Sequence, residues 1–186
     1  MLITPSLYNA YYWYAVRDYG TKEDFLRVLR KEPTEPTEAM QAGIDFEDRI
    51  RAICEHRLDM SPETVEKKIS EIVVGGFWQE SFSKTLDDNL LYGRSDVIKG
   101  CIIYDIKYTN KYDIGKYQYS IQHLLYMYCT GIRSFRYIIS NGDDIWFEDY
   151  SFSYDSEDVL KSRISELLGF IRGNEEFSKA FNEHWK

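Results

Sequence analysis

The spacing of apolar residues changes after Gly75-Gly76, and this change constrains the fold more than any other feature of the sequence. Apolar residues recur at helical intervals before it, whereas strand-like alternation dominates after it. Strands are predicted over residues 77–84, 90–98, 101–108, 135–140 and 145–150, and a helix over residues 116–129. From Ser156 the chain is predicted to be helical, with a break near Gly173-Asn174. This order predicts an α/β fold in which helices flank a central mixed sheet.

Helix start signals fill the first part of the chain. Thr4-Pro5 has the order of a capping residue followed by proline, and Thr21 with Asp24 resembles a capping box. A third helix is predicted over residues 37–57 and a fourth from Ser61-Pro62. The length of 186 residues suits one domain, with N-terminal helices in 1–75, a sheet with an embedded helix in 76–150 and C-terminal helices in 151–186.

The charge of the chain argues against a protein that coats DNA with its whole surface, because the net charge is −8 and the sequence pI is about 5.0. It does not argue against a site that gathers carboxylates to hold a divalent cation. Any basic surface for DNA must then be local. The candidates for it are Arg94, Lys107, Lys111 and Lys116, which lie close together in the sequence.

The three cysteines, Cys54, Cys101 and Cys129, are widely spaced and form no CxxC pair. This spacing argues against a zinc knuckle or a four-cysteine iron–sulfur cluster and favours buried free thiols in a reducing cytoplasm. The sequence has no glycine-rich nucleotide-binding loop and no stretch apolar enough to cross a membrane. We therefore expect a cytoplasmic protein that binds no nucleotide, no iron–sulfur cluster and no membrane.

The predicted strand over residues 101–108 carries Asp105 and Lys107, which project from the same face because they are two residues apart. An acid-x-Lys pair alone is a weak signal, since an exposed charge pair on a half-solvated strand gives the same pattern. The flanking residues are apolar, which indicates a central strand. If Lys99-Gly100 is a two-residue turn, Asp96 lies diagonal to Asp105 on the same face, roughly 7–8 Å away between Cβ atoms. A three-residue turn would place Asp96 on the opposite face.

The helix over residues 37–57 supplies a third acid, Glu47. Its predicted buried side consists of Met40, Gly43, Ile44, Ile50 and Cys54. Glu47 lies in the middle of this side, where a carboxylate is costly unless it is paired, protonated or bound to a metal. The alternative is a slightly rotated helix, with Glu47 at the edge and bonded to Arg51 or to water.

The helix over residues 116–129 carries a polar and aromatic row. Gln122 and Tyr126 share one helix face, and Gly115 and Tyr119 are predicted on the same face one and two turns earlier. If the helix stood alone, a tyrosine-rich face toward solvent would be the favoured interpretation.

Together, these motifs resemble the RecB-type branch of the PD-(D/E)XK nucleases, which includes lambda-exonuclease-like phage enzymes. The matching residues are Gly43 to Glu47 for the helix acid, Gly93-Arg94-Ser95-Asp96 for the G-x-x-D strand, Asp105-Ile106-Lys107 for the acid-x-Lys strand, and Gln122 to Tyr126 for Q-x-x-x-Y. The resemblance covers about residues 1 to 140. Two departures are the absence of the cysteines that hold an iron–sulfur cluster in some relatives, and an aspartate where glutamate is commoner in the acid-x-Lys strand.

This resemblance implies a restriction-endonuclease-like PD-(D/E)XK core and a Mg²⁺ or Mn²⁺ ion. Its implied ligands are Glu47, Asp96, Asp105 and the backbone carbonyl of Ile106. Lys107 would orient the attacking water or stabilise charge on the phosphorus. Gln122, Tyr126 and Arg94 would position the substrate.

The implied function is a metal-dependent deoxyribonuclease, specifically an exonuclease in phage or recombination-type DNA processing. DNA is the expected partner, beside a recombinase, annealing protein or helicase, and the chain could form a homo-oligomer. The alternatives are an endonuclease, or an inactive nuclease-like domain that binds nucleic acid or protein. An unrelated α/β interaction protein is a further alternative, which predicts that Glu47, Asp96 and Asp105 do not converge.

Overall fold

The computed structural model describes residues 1–185, which alternate between helices and strands. The helices are α1 (Pro5–Tyr11), α2 (Lys22–Leu29), α3 (Glu38–Cys54), α4 (Val65–Val73), α5 (Gln122–Thr130), α6 (Ser156–Arg172) and α7 (Glu175–His184), and a π-helical segment, Tyr12–Val16, follows α1. The strands are β1 (Leu2–Ile3), β2 (Phe77–Trp78), β3 (Ser81–Leu86), β4 (Asn89–Arg94), β5 (Val97–Lys99), β6 (Ile102–Tyr108), β7 (Ser134–Ser140) and β8 (Ile145–Ser151).

The strands form two sheets. The larger has the order β2-β5-β6-β7-β8, in which β6 and β7 are parallel and the other neighbours antiparallel. The smaller has the order β1-β4-β3. β6 is the middle strand of the larger sheet, as its apolar flanks predicted. The predicted fold class, an α/β fold with helices flanking a mixed sheet, is confirmed.

Apolar side chains cover both faces of the larger sheet. On one face, Phe46 and Ile50 of α3 pack with residues of α4 and with Tyr104 and Ile106 of β6. On the other face, residues of α1, α2, α5, α6 and α7 form a larger core around Ile103 of β6. Alternate residues of β6 therefore point into different cores, which explains why apolar residues occur on both faces of this strand.

Several helix predictions are confirmed at their caps. The Thr4 and Thr37 side chains accept hydrogen bonds from backbone N–H groups at the starts of α1 and α3, and Thr21 forms the predicted capping box with Asp24. The predicted start of the fourth helix at Ser61-Pro62 was wrong, since α4 begins at Val65. Capping bonds involve neighbours within three residues, so a local sequence is enough to predict them.

Two predicted strands are interrupted where a hairpin passes from one sheet to the other. The predicted strand over residues 77–84 divides into β2 and β3 at Gln79, which has φ +53°. The predicted strand over residues 90–98 divides into β4 and β5 at Ser95-Asp96. The two breaks lie side by side, because the N–H of Gln79 donates to the carbonyl of Asp96 and the N–H of Ser95 to that of Glu80. The interruption therefore follows from the pairing of the two segments.

Two helix expectations need correction. The helix predicted over residues 116–129 begins only at Gln122, so Gly115 and Tyr119 are not on its face. On α3 the buried residues are Phe46, Ile50 and Ile53, whereas Met40 is 61% exposed and Ile44 45% exposed. Apolar residues of this helix lie on two faces, and packing against α4 decides which one is buried.

The cysteines are free thiols, but they are less buried than predicted, because Cys101 is exposed and Cys54 and Cys129 are half-buried. Within the described chain, no helix is both long enough and apolar enough to span a bilayer.

Candidate active site

Asp105 and Lys107 point from one face of β6 and are in direct contact. Asp105 is 1% exposed, and the Nζ atom of Lys107 lies 2.5 Å from its Oδ2 atom. The Lys107 side chain is 30% exposed, so it lies between the buried carboxylate and solvent. Among residues 1–185, Oδ2 still has no hydrogen bond of acceptable geometry. The close ion pair therefore leaves part of the coordinating capacity of this buried oxygen unused.

Asp96 lies on the same side of the sheet, although its predicted partner on β6 was wrong by two residues, since a Lys99-Gly100 turn would pair it with Ile103. The turn between β5 and β6 is Gly100-Cys101 and not Lys99-Gly100, since Lys99 pairs with Ile102. Continuing the register by one residue beyond Val97 and Tyr104 places Asp96 opposite Asp105. The predicted face was right because the predicted and the observed turn both have two residues. Moving such a turn by one residue shifts the pairing by two, so each side chain stays on the same face.

The short length of β5 creates an open edge at the site. Its pairing with β6 ends at Val97 and Tyr104, so β5 does not cover the following residues of β6. The backbone N–H of Ile106, which a longer β5 would have paired, donates instead to Oδ2 of Asp96 at 2.6 Å. The half-buried Asp96 therefore caps this edge of the sheet.

Glu47 approaches the same edge from α3. It is half-buried, and its Oε1 atom accepts a hydrogen bond from Nε2 of Gln79 at 3.3 Å. Arg51 bonds Glu55 and not Glu47, so the alternative in which Arg51 holds this acid is wrong. The sequence analysis missed Gln79, which belongs to no motif and lies in a predicted strand that is mostly polar.

The three carboxyl groups affect each other electrostatically. Burial raises the pKa of Asp96 well above its ordinary value, and the carboxylates of Asp105 and Glu47 raise it further. Burial is also the main cause of the raised pKa values of Asp105 and Glu47. For Glu47, the Asp105 carboxylate adds to the rise, and the hydrogen bond from Gln79 opposes it. This group of acids therefore favours the arrival of positive charge, either protons or a cation.

Lys107 remains a cation in this environment. Burial acts to lower its pKa, but the carboxylates of Asp105 and Asp96 outweigh burial, and the pKa lies above the ordinary value. A lysine with a raised pKa is protonated at neutral pH and cannot accept a proton there. Its ammonium group can therefore attract an anion but not act as a general base.

The Q-x-x-x-Y residues join the acids through a chain of hydrogen bonds. Nε2 of Gln122 donates to Oδ1 of Asp105 at 2.5 Å and to the hydroxyl of Tyr126 at 3.1 Å. That hydroxyl donates to the backbone carbonyl of Arg94 at 2.7 Å. Gly93 leaves room for the Tyr126 ring, because a Cβ atom there would overlap Cε1 of Tyr126. The motif residues of β4, β6 and α5 thus form one connected unit.

Two hollows in the surface meet at Lys107. One, of about 630 Å³, is lined by Glu47, Asp96, Ile106 and Lys107 together with the exposed Met40 and Ile44. The other, of about 330 Å³, is lined by Lys107, Arg94, Gln122, Tyr126 and residues of α1. The side chain of Arg94 is exposed, so its guanidinium can reach a ligand in the second hollow. A strand of a polyanion could lie across both hollows with Lys107 at the centre.

The residues present suit Mg²⁺ or Mn²⁺ better than zinc. Carboxylate oxygens and the Ile106 backbone are the hard ligands that these cations prefer, whereas no histidine or cysteine is among the residues that line the two hollows. In the described part of the chain, no three His, Cys, Asp or Glu side chains are close enough to cage a metal by themselves. An open set of acids matches Mg²⁺, which usually keeps several waters and takes only one or two carboxylates from the protein.

Comparison with known proteins finds similar folds but no similar sequence. No protein-family model matches the chain, and no curated protein matches it. The alkaline exonuclease LHK-Exo from Laribacter hongkongensis, in complex with dAMP, superposes with a TM-score of 0.58 at 14% identity. The match covers 97% of this chain and 92% of LHK-Exo. The crystal structure of SSO0001 matches with a TM-score of 0.58 at 9% identity, covering 91% of this chain and 76% of that one.

These likenesses establish the fold. The predicted PD-(D/E)XK core is consistent with the alkaline exonuclease among the matched structures. At such low identities the activity of this chain must be argued from its own residues.

Proposed function

We propose that this protein is a metal-dependent nuclease that hydrolyses phosphodiester bonds of DNA as an exonuclease. The observation that carries the proposal is the meeting of Glu47, Asp96, Asp105 and Lys107 at one open strand edge. An unrelated interaction protein would have no reason to bury acids that raise each other's pKa. The fold shared with an alkaline exonuclease supports the same conclusion.

The proposed cation is Mg²⁺ or Mn²⁺, held directly by Asp96, Asp105 and the carbonyl of Ile106, with Glu47 contributing through a water that the ion keeps. Such an ion, when bound, lowers the pKa of a coordinated water and polarises the scissile phosphate. The buried Oδ2 of Asp105, which lacks a well-formed hydrogen bond, supports its assignment as a ligand.

Lys107 is proposed to bind the scissile phosphate and to stabilise the negative charge that grows during attack. Its raised pKa supports this role, because it keeps the ammonium charged. Gln122 orients Asp105 through its amide, and Tyr126 fixes Gln122. Arg94 is proposed to hold the DNA backbone in the second hollow, where it is exposed beside Lys107.

The first test is DNA cleavage by the purified protein on matched linear and circular duplexes. With Mg²⁺ we expect mononucleotides from the linear duplex and no cleavage of the closed circle, and EDTA should abolish the reaction. Cleavage of the circle would favour the endonuclease alternative. Absence of cleavage in Mg²⁺ and Mn²⁺, with binding retained, would favour an inactive nucleic-acid-binding domain.

A second expected result concerns stability. Without Mg²⁺, Asp96→Asn should raise the free energy of unfolding at pH 7.5 by about 1 kcal/mol. The amide can still accept the Ile106 N–H but does not repel Asp105 and Glu47. Because the pKa of Asp96 is raised in the folded state, its contribution to stability is present below pH of about 4 and is lost as the pH rises. The gain from the substitution should therefore shrink toward pH 4, as measured by urea unfolding at both pH values.

The same variant tests the proposed metal ligand. Mg²⁺ at ten times its dissociation constant should stabilise the unsubstituted protein by about 1.4 kcal/mol and Asp96→Asn much less. Asp59→Asn removes an exposed acid elsewhere and should respond to Mg²⁺ as the unsubstituted protein does. Equal stabilisation of all three proteins would contradict the assignment of Asp96 as a ligand.

A further inference from the structure

A buried carboxylate, Glu148 on β8, lies behind the candidate site and has no role in the proposed mechanism. It is 8% exposed. Glu148 lies opposite Tyr137 in the sheet register, and Tyr137 lies opposite Asp105, so the three share one face across adjacent strands. With strands about 4.8 Å apart, Glu148 stands about 10 Å from Asp105.

Three hydrogen bonds satisfy Glu148. The hydroxyl of Tyr112 donates to Oε1 at 2.9 Å, and the hydroxyl of Tyr150 donates to Oε2 at 2.6 Å. The backbone N–H of Tyr117 also donates to Oε2, at 3.3 Å. Tyr112 and Tyr117 belong to residues 109–121, which connect β6 to α5. A buried acid of β8 is therefore bonded to the connection between the two elements that carry the candidate residues.

Glu148 holds this connection where Tyr117 borders Lys107. The Tyr117 ring stacks on Tyr137 with 4.6 Å between centroids and 22° between planes. The Nζ atom of Lys107 lies 6.0 Å from the centroid of the same Tyr137 ring. Tyr117 and Lys107 thus rest against one aromatic ring, and movement of Tyr117 would change the surroundings of the ammonium.

The rest of the connection is also anchored. The guanidinium of Arg163 donates to the backbone carbonyls of Ser120 at 2.9 Å and Gln118 at 3.3 Å. Glu148 therefore holds the connection at Tyr112 and Tyr117, while α6 holds it at the following residues, Gln118 and Ser120. Loss of the Glu148 bonds should release Tyr117 without unfolding the segment before α5.

We propose that Glu148 is a positioning residue of this active site, which acts by holding Tyr117 against Tyr137 beside Lys107. The proposal rests on the nuclease function, since it concerns the geometry of the same site. Tyr117 and the ammonium of Lys107 both lie against the Tyr137 ring of β7. Release of Tyr117 lets Lys107 and the bound phosphate depart from the geometry that cleavage needs.

The kinetic test compares Glu148→Gln with Asp149→Asn. Glutamine keeps the size of Glu148 but replaces one carboxylate oxygen with an NH2 group. It therefore cannot accept all three hydrogen bonds. Asp149 is the next residue of β8, is exposed and pairs with Arg136, so it controls for loss of a negative charge from this strand. We expect Glu148→Gln to lower kcat about 10- to 100-fold with KM changed by less than threefold, and Asp149→Asn to change neither. A kcat for Glu148→Gln within threefold of Asp149→Asn would overturn the proposal.

A double-mutant cycle tests whether Glu148 acts through Tyr117. If it does, Tyr117→Ala and Glu148→Gln should each lower kcat, and the double variant should be no slower than the slower single variant. If the two fold-losses in kcat multiply in the double variant, the two residues act separately. That result would contradict the proposal that Glu148 acts through Tyr117.

Amide hydrogen exchange separates this proposal from the nuclease assignment. In Glu148→Gln, the hydrogen-bonded amides of Lys116, Tyr117 and Gln118 should exchange at least tenfold faster than in Asp149→Asn, while β6 and β7 stay protected. This result is expected whether or not the protein cleaves DNA. Unchanged exchange at these three amides would overturn the positioning role, whereas inactivity of the unsubstituted protein would overturn only the nuclease function.

Discussion

Replacing Asp105 with asparagine should lower the rate of Mg²⁺-dependent DNA cleavage by about 1,000-fold or more, which is the scale of losing a main charge-stabilising group. Asparagine has nearly the same shape, and its oxygen can still accept the Gln122 amide. The folded structure should therefore persist, while the charged oxygen proposed to bind the cation is lost. The measurement is kcat on a linear duplex, with circular dichroism to verify folding. Asp113→Asn removes an exposed acid and provides the matched control.

Lys107→Ala should cause a similar loss of cleavage, of at least about 100-fold. It removes the ammonium and leaves the buried Asp105 without its ion-pair partner, so some loss of stability is also expected. Lys179→Ala controls for removal of a basic residue, because Lys179 is exposed on α7 and lines neither hollow of the site. If either Asp105→Asn or Lys107→Ala cleaved DNA as fast as its control, the site assignment would be wrong.

Gly93→Ala should destabilise the protein by about 1–3 kcal/mol, the usual cost of forcing a methyl group into a packed region. The added Cβ would overlap Cε1 of Tyr126 and lie 2.8 Å from Cε2 of Phe82. Tyr126 must then move, and it would lose its hydrogen bonds to Arg94 and Gln122. We therefore expect cleavage to fall about 100-fold in the folded variant, since a shift of about 1 Å near a site can have that effect.

The control for Gly93→Ala is Gly169→Ala in α6, where an added Cβ would meet no atom within 4 Å. That substitution should be neutral or stabilise the protein by up to about 1 kcal/mol, because alanine favours helices over glycine. Urea unfolding measures both effects. A Gly93→Ala protein as stable as Gly169→Ala would show that the contact with Tyr126 does not limit the site.

The candidate site was predictable from the sequence as far as its residues and their faces. Asp105 and Lys107 share a face because strands alternate, and Asp96 joins them because any two-residue turn preserves the parity. The exact register was not predictable, since both Lys99-Gly100 and Gly100-Cys101 are plausible two-residue turns. Glu47 was assigned to the site, although the buried face of its helix was wrong at Met40 and Ile44.

Glu148 and Tyr117 carried no recognisable sequence signal. Glu148 lies in an alternating strand like many other acids, and Tyr117 is one of sixteen tyrosines. Their importance depends on a contact between residues that are 31 positions apart in the chain. The sequence around each residue gives no indication of the other.

The sequence by itself determined the kinds of elements, their order and most of their caps, because these depend on neighbours within a few residues. Only the tertiary structure decided that β5 begins at Val97, that the open edge of β6 receives Glu47, and that Gly93 makes room for Tyr126. Those outcomes depend on which distant segments pair and how closely they approach. The physical reason is that long-range register and packing are settled by the whole core, and no local stretch of sequence contains that information.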